Sequence, residues 1–182
     1  ETPREEADAT LRALEDLGLR IRILSGDGQA SVSQLASRLR VADAMGACSP
    51  EEKLKQVKLE QAQGHRVAMV GDGVNDAPAL AAADVGMAMS NPDGGGTDVA
   101  MQAAGITLMR GDPRLVLAAL DISRLTVAKI RQNLFWAFFY NAAGIPLAAL
   151  GYLHPVLAGG AMALSSVSVM ANALLLKRWK GP

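Results

Sequence analysis

Cysteine is nearly absent from this chain, and several features that would assign it to other classes are missing as well. The one cysteine, Cys48, excludes a framework of internal disulfides, and a lone thiol makes a poor metal site. Eighteen basic residues balance eighteen acidic ones, so no global charge favours nucleic acid as a partner. The charged start lacks an initiator methionine and any signal peptide, which predicts either a piece cut from a longer protein or a processed chain.

The last acidic residue is Asp121, so the last third of the chain contains none. The charged residues that follow are all basic and form two clusters around apolar sequence: Arg124, Lys129 and Arg131, then Lys177, Arg178 and Lys180. This change in composition predicts two parts, residues 1–120 and residues 121–182.

The first part has the pattern of alternating helices and strands. Helices are predicted from Thr2-Pro3 to a C-cap at Gly18, and then over 30–39, 50–63, 78–83 and 97–103. Strands are predicted over 19–24, near 41, and over 67–70, 85–89 and 106–109. This alternation predicts an open, parallel α/β sheet of Rossmann type, with functional sites beyond the carboxyl ends of its strands.

Two short polar motifs, Ser25-Gly26-Asp27 and Gly71-Asp72-Gly73, follow predicted strands and should therefore share one site. Asp72 and Asp76 offer hard oxygen ligands that suit Mg²⁺, and the glycines around them allow close backbone approach. The nearby amide of Asn75 can orient a phosphate. The alternative is an Asx-rich turn, but the length of the string Gly71–Pro78 disfavours it.

Two further residues suit phosphate chemistry. The Ser25 hydroxyl could donate to a phosphoryl oxygen, or it could cap the helix that follows. Lys53 could neutralise phosphate charge, or it could be a solvated surface lysine. Together with the aspartates these residues describe a phosphate and Mg²⁺ site without one component, because no phosphoryl-accepting aspartate on its own strand precedes Ser25.

This arrangement resembles the phosphorylation domain of the P-type ATPases, which has a haloacid-dehalogenase-like fold. The family's hinge motif G-D-G-x-N-D-x-P is complete as Gly71–Pro78, its T-G-D motif corresponds to Ser25–Asp27, and its P-x-x-K element to Pro50–Lys53. The resemblance implies catalytic roles for four residues: Ser25, Asp27, Lys53 and Asn75. It also implies that Gly71 and Gly73 contact the cofactor and that Asp72 and Asp76 bind Mg²⁺ at the hinge.

The chain departs from this family at three points. The family's D-K-T-G-T string, which carries the phosphorylated aspartate, is absent, as are its nucleotide-binding and actuator domains. After the T-G-D position the family usually continues with asparagine or arginine, whereas Gly28-Gln29 stands here. The glycine-rich stretch 91–96 is longer than the family's link and is predicted to be a loop, since no lysine follows it.

The second part is predicted to be a linker helix and a transmembrane hairpin. Uncharged stretches over about 132–153 and 156–176 are each long enough to cross a bilayer, with a tight turn at His154-Pro155. The basic flanks predict that both ends are cytoplasmic, in an inner cell membrane. A buried helical hairpin of a soluble protein is the alternative, which the basic flanks disfavour.

Polar residues inside these predicted spans are candidates for an ion pathway. Tyr140-Asn141 and Met162-Ala163-Leu164-Ser165-Ser166 are similar to the Y-N and M-x-x-S-S motifs of copper-exporting P-type ATPases. The resemblance implies that Tyr140, Asn141, Met162, Ser165 and Ser166 contact the ion, and a thioether suits Cu(I). Helix packing is the alternative explanation for the serines.

The sequence therefore predicts a C-terminal part of an ATP-driven Cu(I) export pump that works through an aspartyl-phosphate. Mg²⁺ is the expected cofactor and ATP the substrate of the whole pump, while the isolated chain should be inactive. Expected partners are the remaining N-terminal portion of the pump, the lipid bilayer and a cytosolic copper donor, with no nucleic acid. The alternatives are a membrane-tethered, phosphatase-like regulatory remnant and a pump of the same family for another metal.

Overall fold

A computed structural model describes residues 5–90, 98–151, 155–179 and 181. Its contacts divide the chain into two units, Glu1–Leu117 and Ala118–Pro182. The predicted helix start at Thr2-Pro3, the predicted glycine-rich loop and His154 of the predicted turn lie outside the described residues.

The first unit alternates helices with strands, as the sequence predicts. Its helices are α1 (Glu5–Asp16), α2 (Gln29–Leu39), α3 (Pro50–Ala62), α4 (Ala77–Ala82) and α5 (Asp98–Ala103), with a 3-10 turn at Val74–Asp76. Its strands are β1 (Arg22–Leu24), β2 (Asp43–Met45), β3 (Ala68–Gly71), β4 (Val85–Met89) and β5 (Ile106–Leu108). The first strand is shorter than predicted because its partner β2 is only three residues long and pairs with all of β1.

All strand pairs in the described part of this unit are parallel, which confirms the predicted sheet type. β1 pairs with β2 with Arg22 opposite Asp43, while β3, β4 and β5 form a second ladder in that order. The described residues therefore form two small parallel sheets, where the sequence predicted one. Within the described ranges, β1 and β3 each pair along one edge only.

The hydrophobic core of the second sheet is built from small and medium side chains. Leu80 of α4, Ala88 of β4 and Ala100 of α5 are almost completely buried against one another. A side chain of Leu80's size contributes about 1.5–3 kcal/mol when it is fully buried. Gly86 lies so close to the Leu80 carbonyl that a Cβ at this position would overlap it, which holds α4 tightly against β4.

Two side chains fix the ends of elements in the first unit. Ser49 caps α3, because its Oγ accepts a hydrogen bond from the Glu52 backbone amide over 3.2 Å. Asp84 accepts from the Val67 amide at 3.0 Å and from the Arg66 guanidinium at 2.7 Å, so it ties the start of β3 to the start of β4. These contacts, the Val67 amide first, lower the pKa of Asp84 to about 2.

Two long helices make up most of the second unit. α6 spans Arg114–Ala149 without a break, as predicted for a linker helix that continues into a first span, and α7 spans Pro155–Leu174. A 3-10 turn at Leu175–Arg178 follows. α6 ends four residues before the predicted position 153, at a turn where Gly151 adopts a φ of +75°.

One stretch of the described chain, Gly159–Arg178, is long and apolar enough to cross a membrane, judged by length and composition alone. It coincides with most of the second predicted span. The span over about 132–153 stays a prediction, and Asn133, Tyr140 and Asn141 make that segment less apolar.

Candidate active site

The candidate site contains a nearly buried ion pair between α3 and the turn after β3. Lys53 Nζ donates a hydrogen bond to Asp76 Oδ1 over 2.7 Å, and the two side chains are only 12% and 11% exposed. Lys53 is therefore not a solvated surface lysine, which was the alternative. Because removal of either partner leaves an unpaired charge in a nearly dry environment, such a pair is strongly constrained.

The glycines of the hinge motif make room for the Asp76 carboxylate. A Cβ on Gly71 would lie 2.7 Å from Asp76 Oδ2 and 2.8 Å from its Cγ, so only glycine fits there. The Gly73 amide donates to Asp76 Oδ2 at 3.5 Å, and the Asp76 amide donates to the Gly73 carbonyl at 3.0 Å. The backbone of residues 71–73 thus holds this carboxylate towards Lys53.

Asp72 and Asn75 lie in the same turn, beyond the carboxyl end of β3, and both are exposed to solvent. Mg²⁺ commonly binds one or two carboxylates and completes its shell with water and phosphate oxygens. The exposed Asp72 carboxylate fits that requirement, whereas one oxygen of Asp76 is already engaged by Lys53. In the described ranges no group of three or more acidic, histidine or cysteine side chains is placed to hold a metal.

Ser25 and Asp27 form a second polar pair in the loop after β1. Ser25 Oγ donates to Asp27 Oδ2 at 3.0 Å and accepts from the Asp27 amide at 3.2 Å. The alternative role of Ser25, capping of α2, is not observed, since the N-cap is Gly28 and no side chain caps this helix. Hydrogen bonds from the Ala47 amide to the Asp27 carbonyl (2.6 Å) and from the Cys48 amide to the Ser25 carbonyl (2.9 Å) join this loop to the one after β2.

The loop after β2 connects the two pairs along the chain. It continues through Ser49 into the first turn of α3, which carries Lys53. The structure thus brings Ser25 to Asp27 and Lys53 to Asp76, and within the described residues no hydrogen bond joins one pair to the other. The direct ion pair was missed at the sequence level, because Lys53 and Asp76 are 23 residues apart and no local pattern links them.

The candidate ion-pathway residues lie on two helices. On α6, Tyr140 contacts the Trp136 and Phe139 rings, with centroids 6.2 and 6.3 Å apart, and Asn141 Nδ2 donates to the Ala137 carbonyl at 2.8 Å. On α7, Ser166 Oγ donates to the Met162 carbonyl at 3.1 Å. Ser165 lies beside it and is half-buried. Among the described residues no hydrogen bond joins these two sets, so their shared role as ligands stays a prediction.

A polar cluster around Asn172 joins α7 to α6. Lys129 Nζ donates to Asn172 Oδ1 at 2.7 Å, while Asn172 Nδ2 donates to Asn133 Oδ1 at 2.8 Å and to Gln132 Oε1 at 3.2 Å. Both ends of one amide are therefore used. The spacing of Asn172 from its partners, about 40 residues, explains why the sequence does not predict this contact.

Comparison with known proteins gives consistent matches. A family model for haloacid dehalogenase-like hydrolases matches residues 1–84. Copper-exporting P-type ATPases of Staphylococcus aureus strains bovine RF122 / ET3-1 and JH9 are 49% and 48% identical over 180 residues. These alignments cover 99% of this chain and 22% of each relative.

Solved structures agree with these sequence matches. A zinc-transporting PIB-type ATPase in its E2·Pi state is 36% identical, with a TM-score of 0.87, and the match covers 97% of this chain and 28% of that one. The catalytic domain of a CPx-ATPase is 40% identical, with a TM-score of 0.53 over 59% of this chain and 41% of that one.

The parallel α/β unit with its strand-end aspartates is a haloacid-dehalogenase-like region, as the sequence predicts. Nearly the whole chain matches P-type ATPases in sequence and structure, and the resemblance seen in the Gly71–Pro78 motif is confirmed. The chain spans about a fifth of the length of the curated relatives it matches, at 22%.

Proposed function

We propose that this chain is part of a Cu(I)-exporting P-type ATPase, in which its first unit binds the phosphoryl group and its helices line the ion pathway. The nearly buried Lys53–Asp76 pair beside exposed Asp72 carries the phosphoryl half of this proposal. The 49% identity to copper-exporting pumps supports a metal ion, and copper in particular, as the transported ion.

In the proposed site, Lys53 supplies the positive charge for the phosphoryl oxygens. An ammonium has three N–H donors, and Asp76 occupies one of them, so two remain for a phosphate. Asp76 fixes the direction of the ammonium before substrate arrives, which is the kind of preorganisation that stabilises developing charge. Ser25 Oγ exchanges its bond to Asp27 for a phosphoryl oxygen.

Asp72 is the proposed Mg²⁺ ligand, with Asp76 near it as the second carboxylate of the hinge. When bound, the ion neutralises phosphoryl charge and helps to hold the reacting oxygens in place. Gly71 and Gly73 serve this site by bringing the backbone close to the Asp76 carboxylate. Asn75 is exposed at the same strand end, where its amide can donate to the phosphate.

The phosphoryl-accepting aspartate is proposed to come from a preceding segment of the pump. In the described part of the chain, β1 and β3 have one unpaired edge each, and the loops after both strands carry the candidate site. Free strand edges expose backbone donors and acceptors that normally need partners. A parallel strand that paired with the free edges of both β1 and β3 would satisfy these donors and acceptors. The carboxyl end of that strand would then lie next to Ser25 and Lys53.

Copper is the proposed cargo because the candidate ligands are soft or neutral. Met162 offers a thioether, and no acidic or basic side chain occurs between Arg131 and Lys177. A pump for another metal is the second candidate, which the similarity to a zinc-transporting ATPase favours. The basic residues that flank the helices support a multi-pass protein of the inner membrane with both ends of this chain cytoplasmic.

Formation of the acid-stable phosphoenzyme tests the phosphoryl half. In the full-length pump, Lys53→Ala should lower labelling from radiolabelled ATP by at least about 100-fold, a loss typical of one preorganised donor to a transition state. Lys55→Ala, at an exposed lysine on the same helix, is the matched control and should label normally. Normal labelling of Lys53→Ala, or label on the isolated chain, would contradict the proposal.

A further inference from the structure

The side chain of Gln29 joins the two loops that flank the candidate phosphoryl site. Gln29 is the first residue of α2, directly after the loop that carries Ser25 and Asp27. Its Oε1 accepts a hydrogen bond from the Gly46 amide over 2.7 Å, and its Nε2 donates to Ser33 Oγ at 3.1 Å. Gln29 therefore reaches from the first loop to the backbone at the end of β2.

The backbones of the two loops approach so closely at Gly46 that this position has no room for a side chain. A Cβ on Gly46 would lie 2.6 Å from the Gln29 Cα and 2.8 Å from the Asp27 carbonyl oxygen. The next residue, Ala47, has a φ of +52°, a left-handed conformation that a non-glycine residue keeps only when its surroundings enforce it. The hydrogen bonds of the Ala47 and Cys48 amides to the first loop provide that constraint, together with the Gln29 side chain.

The loop held in this way leads to the catalytic lysine. Gly46 is three residues before Ser49, the N-cap of α3, and Lys53 lies in the first turn beyond it. A displacement of Gly46 therefore shifts both the Cys48 amide, which donates to the Ser25 carbonyl, and the start of α3. Small errors in the position of catalytic groups are costly, since a shift of about 1 Å can lower a rate by about 100-fold.

We propose that Gln29 is a positioning residue for the phosphoryl site: its Oε1 holds the Gly46 amide and so fixes the Ser25 loop relative to the first turn of α3. Gln29 itself does not touch the phosphate. The inference rests on the proposed function of this site. Because the Gln29 side chain is exposed, its loss should disturb the geometry of the loops more than the stability of the fold.

The test is the formation of phosphoenzyme from inorganic phosphate by the full-length pump, a reaction in which a carboxylate and phosphate form the acyl phosphate and release water. Gln29→Ala should raise the half-saturating phosphate concentration about tenfold, as expected for a modest misplacement of catalytic groups. Ser33→Ala removes one acceptor of Gln29 Nε2, which also donates to the Ala44 carbonyl at 3.4 Å, and should leave this concentration unchanged. Thermal unfolding of each variant is measured alongside.

Gln29→Glu keeps the acceptor oxygen and should restore the half-saturating concentration to within about twofold at about 1 M salt, where screening limits the effect of the added charge. A wild-type value in Gln29→Ala, an unrestored value in Gln29→Glu, or a lower melting temperature at unchanged phosphate affinity would each overturn the inference. The proposed function is tested separately by Asp72→Asn. Normal phosphoenzyme in that variant would contradict the function itself.

Discussion

The two units of this chain stabilise themselves in different ways. The first unit buries side chains such as Leu80 and Val32 almost completely, and its five described strands all pair with parallel neighbours. In the second unit, no described residue of α6 is buried; Phe138 on α6 is 70% exposed and Met162 on α7 is 73% exposed. Every phenylalanine, tyrosine and tryptophan lies beyond Leu134. Large exposed apolar surfaces indicate a membrane or a protein partner, so the helices of the second unit have the surface expected for such an environment.

The sharpest way to break this comparison is to delete the same side chain in both units. Leu80→Ala removes a buried leucine and should lower stability by about 2–5 kcal/mol, since the cavity cannot be filled by solvent. Leu164→Ala, on an exposed face of α7, should change stability by about 0.5 kcal/mol or less. Amide hydrogen exchange of Met87 and Ala88 in the full chain, embedded in detergent micelles, measures the first effect.

The comparison fails if the two leucine deletions have equal effects on the exchange of β4. Tryptophan fluorescence, which reports only on the second unit because Trp136 and Trp179 both lie there, should remain unchanged in Leu80→Ala.

The polar cluster around Asn172 allows a second, smaller test. Asn172→Leu removes three side-chain hydrogen bonds between α7 and α6 and leaves the Lys129 ammonium without that acceptor. We expect a loss of about 1 kcal/mol, the usual scale for polar contacts between membrane helices. Tryptophan fluorescence during a denaturant titration in micelles provides the measurement.

Ser168→Ala is the matched control for this substitution, because the Ser168 hydroxyl donates only to carbonyls of its own helix, those of Leu164 and Ser165, in the contacts described. Equal stability of the two variants would show that Asn172 does not hold the helices together.

The smallest expected effect concerns pH and is confined to the first unit. The Val67 amide, and next the Arg66 guanidinium, lower the folded pKa of Asp84 from 3.8 to about 2. A carboxyl whose pKa is depressed by folding stabilises the protein above its unfolded pKa, and this contribution is lost as pH falls from 3.8 towards 2. Asp84→Asn should therefore flatten the pH dependence in that window.

Exchange of the Val67 amide as a function of pH measures the Asp84 effect. A variant with the wild-type pH profile would show that other carboxyl groups control acid stability at this end of β3.

Local patterns predicted much of the first unit. The proline and serine at the start of α3, the apolar run of β4 and the glycine–aspartate string after β3 each act through neighbours in sequence, so a single segment contains the signal. The three-residue length of β1 was not predictable from its own apolar pattern, because it is limited by the length of β2.

The contacts that organise the candidate site depend on distant residues instead. Lys53 and Asp76 form their pair only after α3 packs near the turn that follows β3, and Gln29 reaches Gly46 only when β1 and β2 are paired. No spacing rule along the chain encodes such contacts. The string Gly71–Pro78 is therefore visible in the sequence, whereas the contact between Gln29 and Gly46 is not.

The most direct test of the central claim is metal-stimulated ATP hydrolysis by the full-length pump, with Met162→Leu compared with Met170→Leu. Both methionines are exposed on α7, and only Met162 belongs to the proposed ion pathway. The account predicts stimulation by Cu(I) in the unaltered pump, loss of this stimulation in Met162→Leu and its retention in Met170→Leu. Stimulation by Zn²⁺ but not by Cu(I), or full Cu(I) stimulation of Met162→Leu, would contradict it.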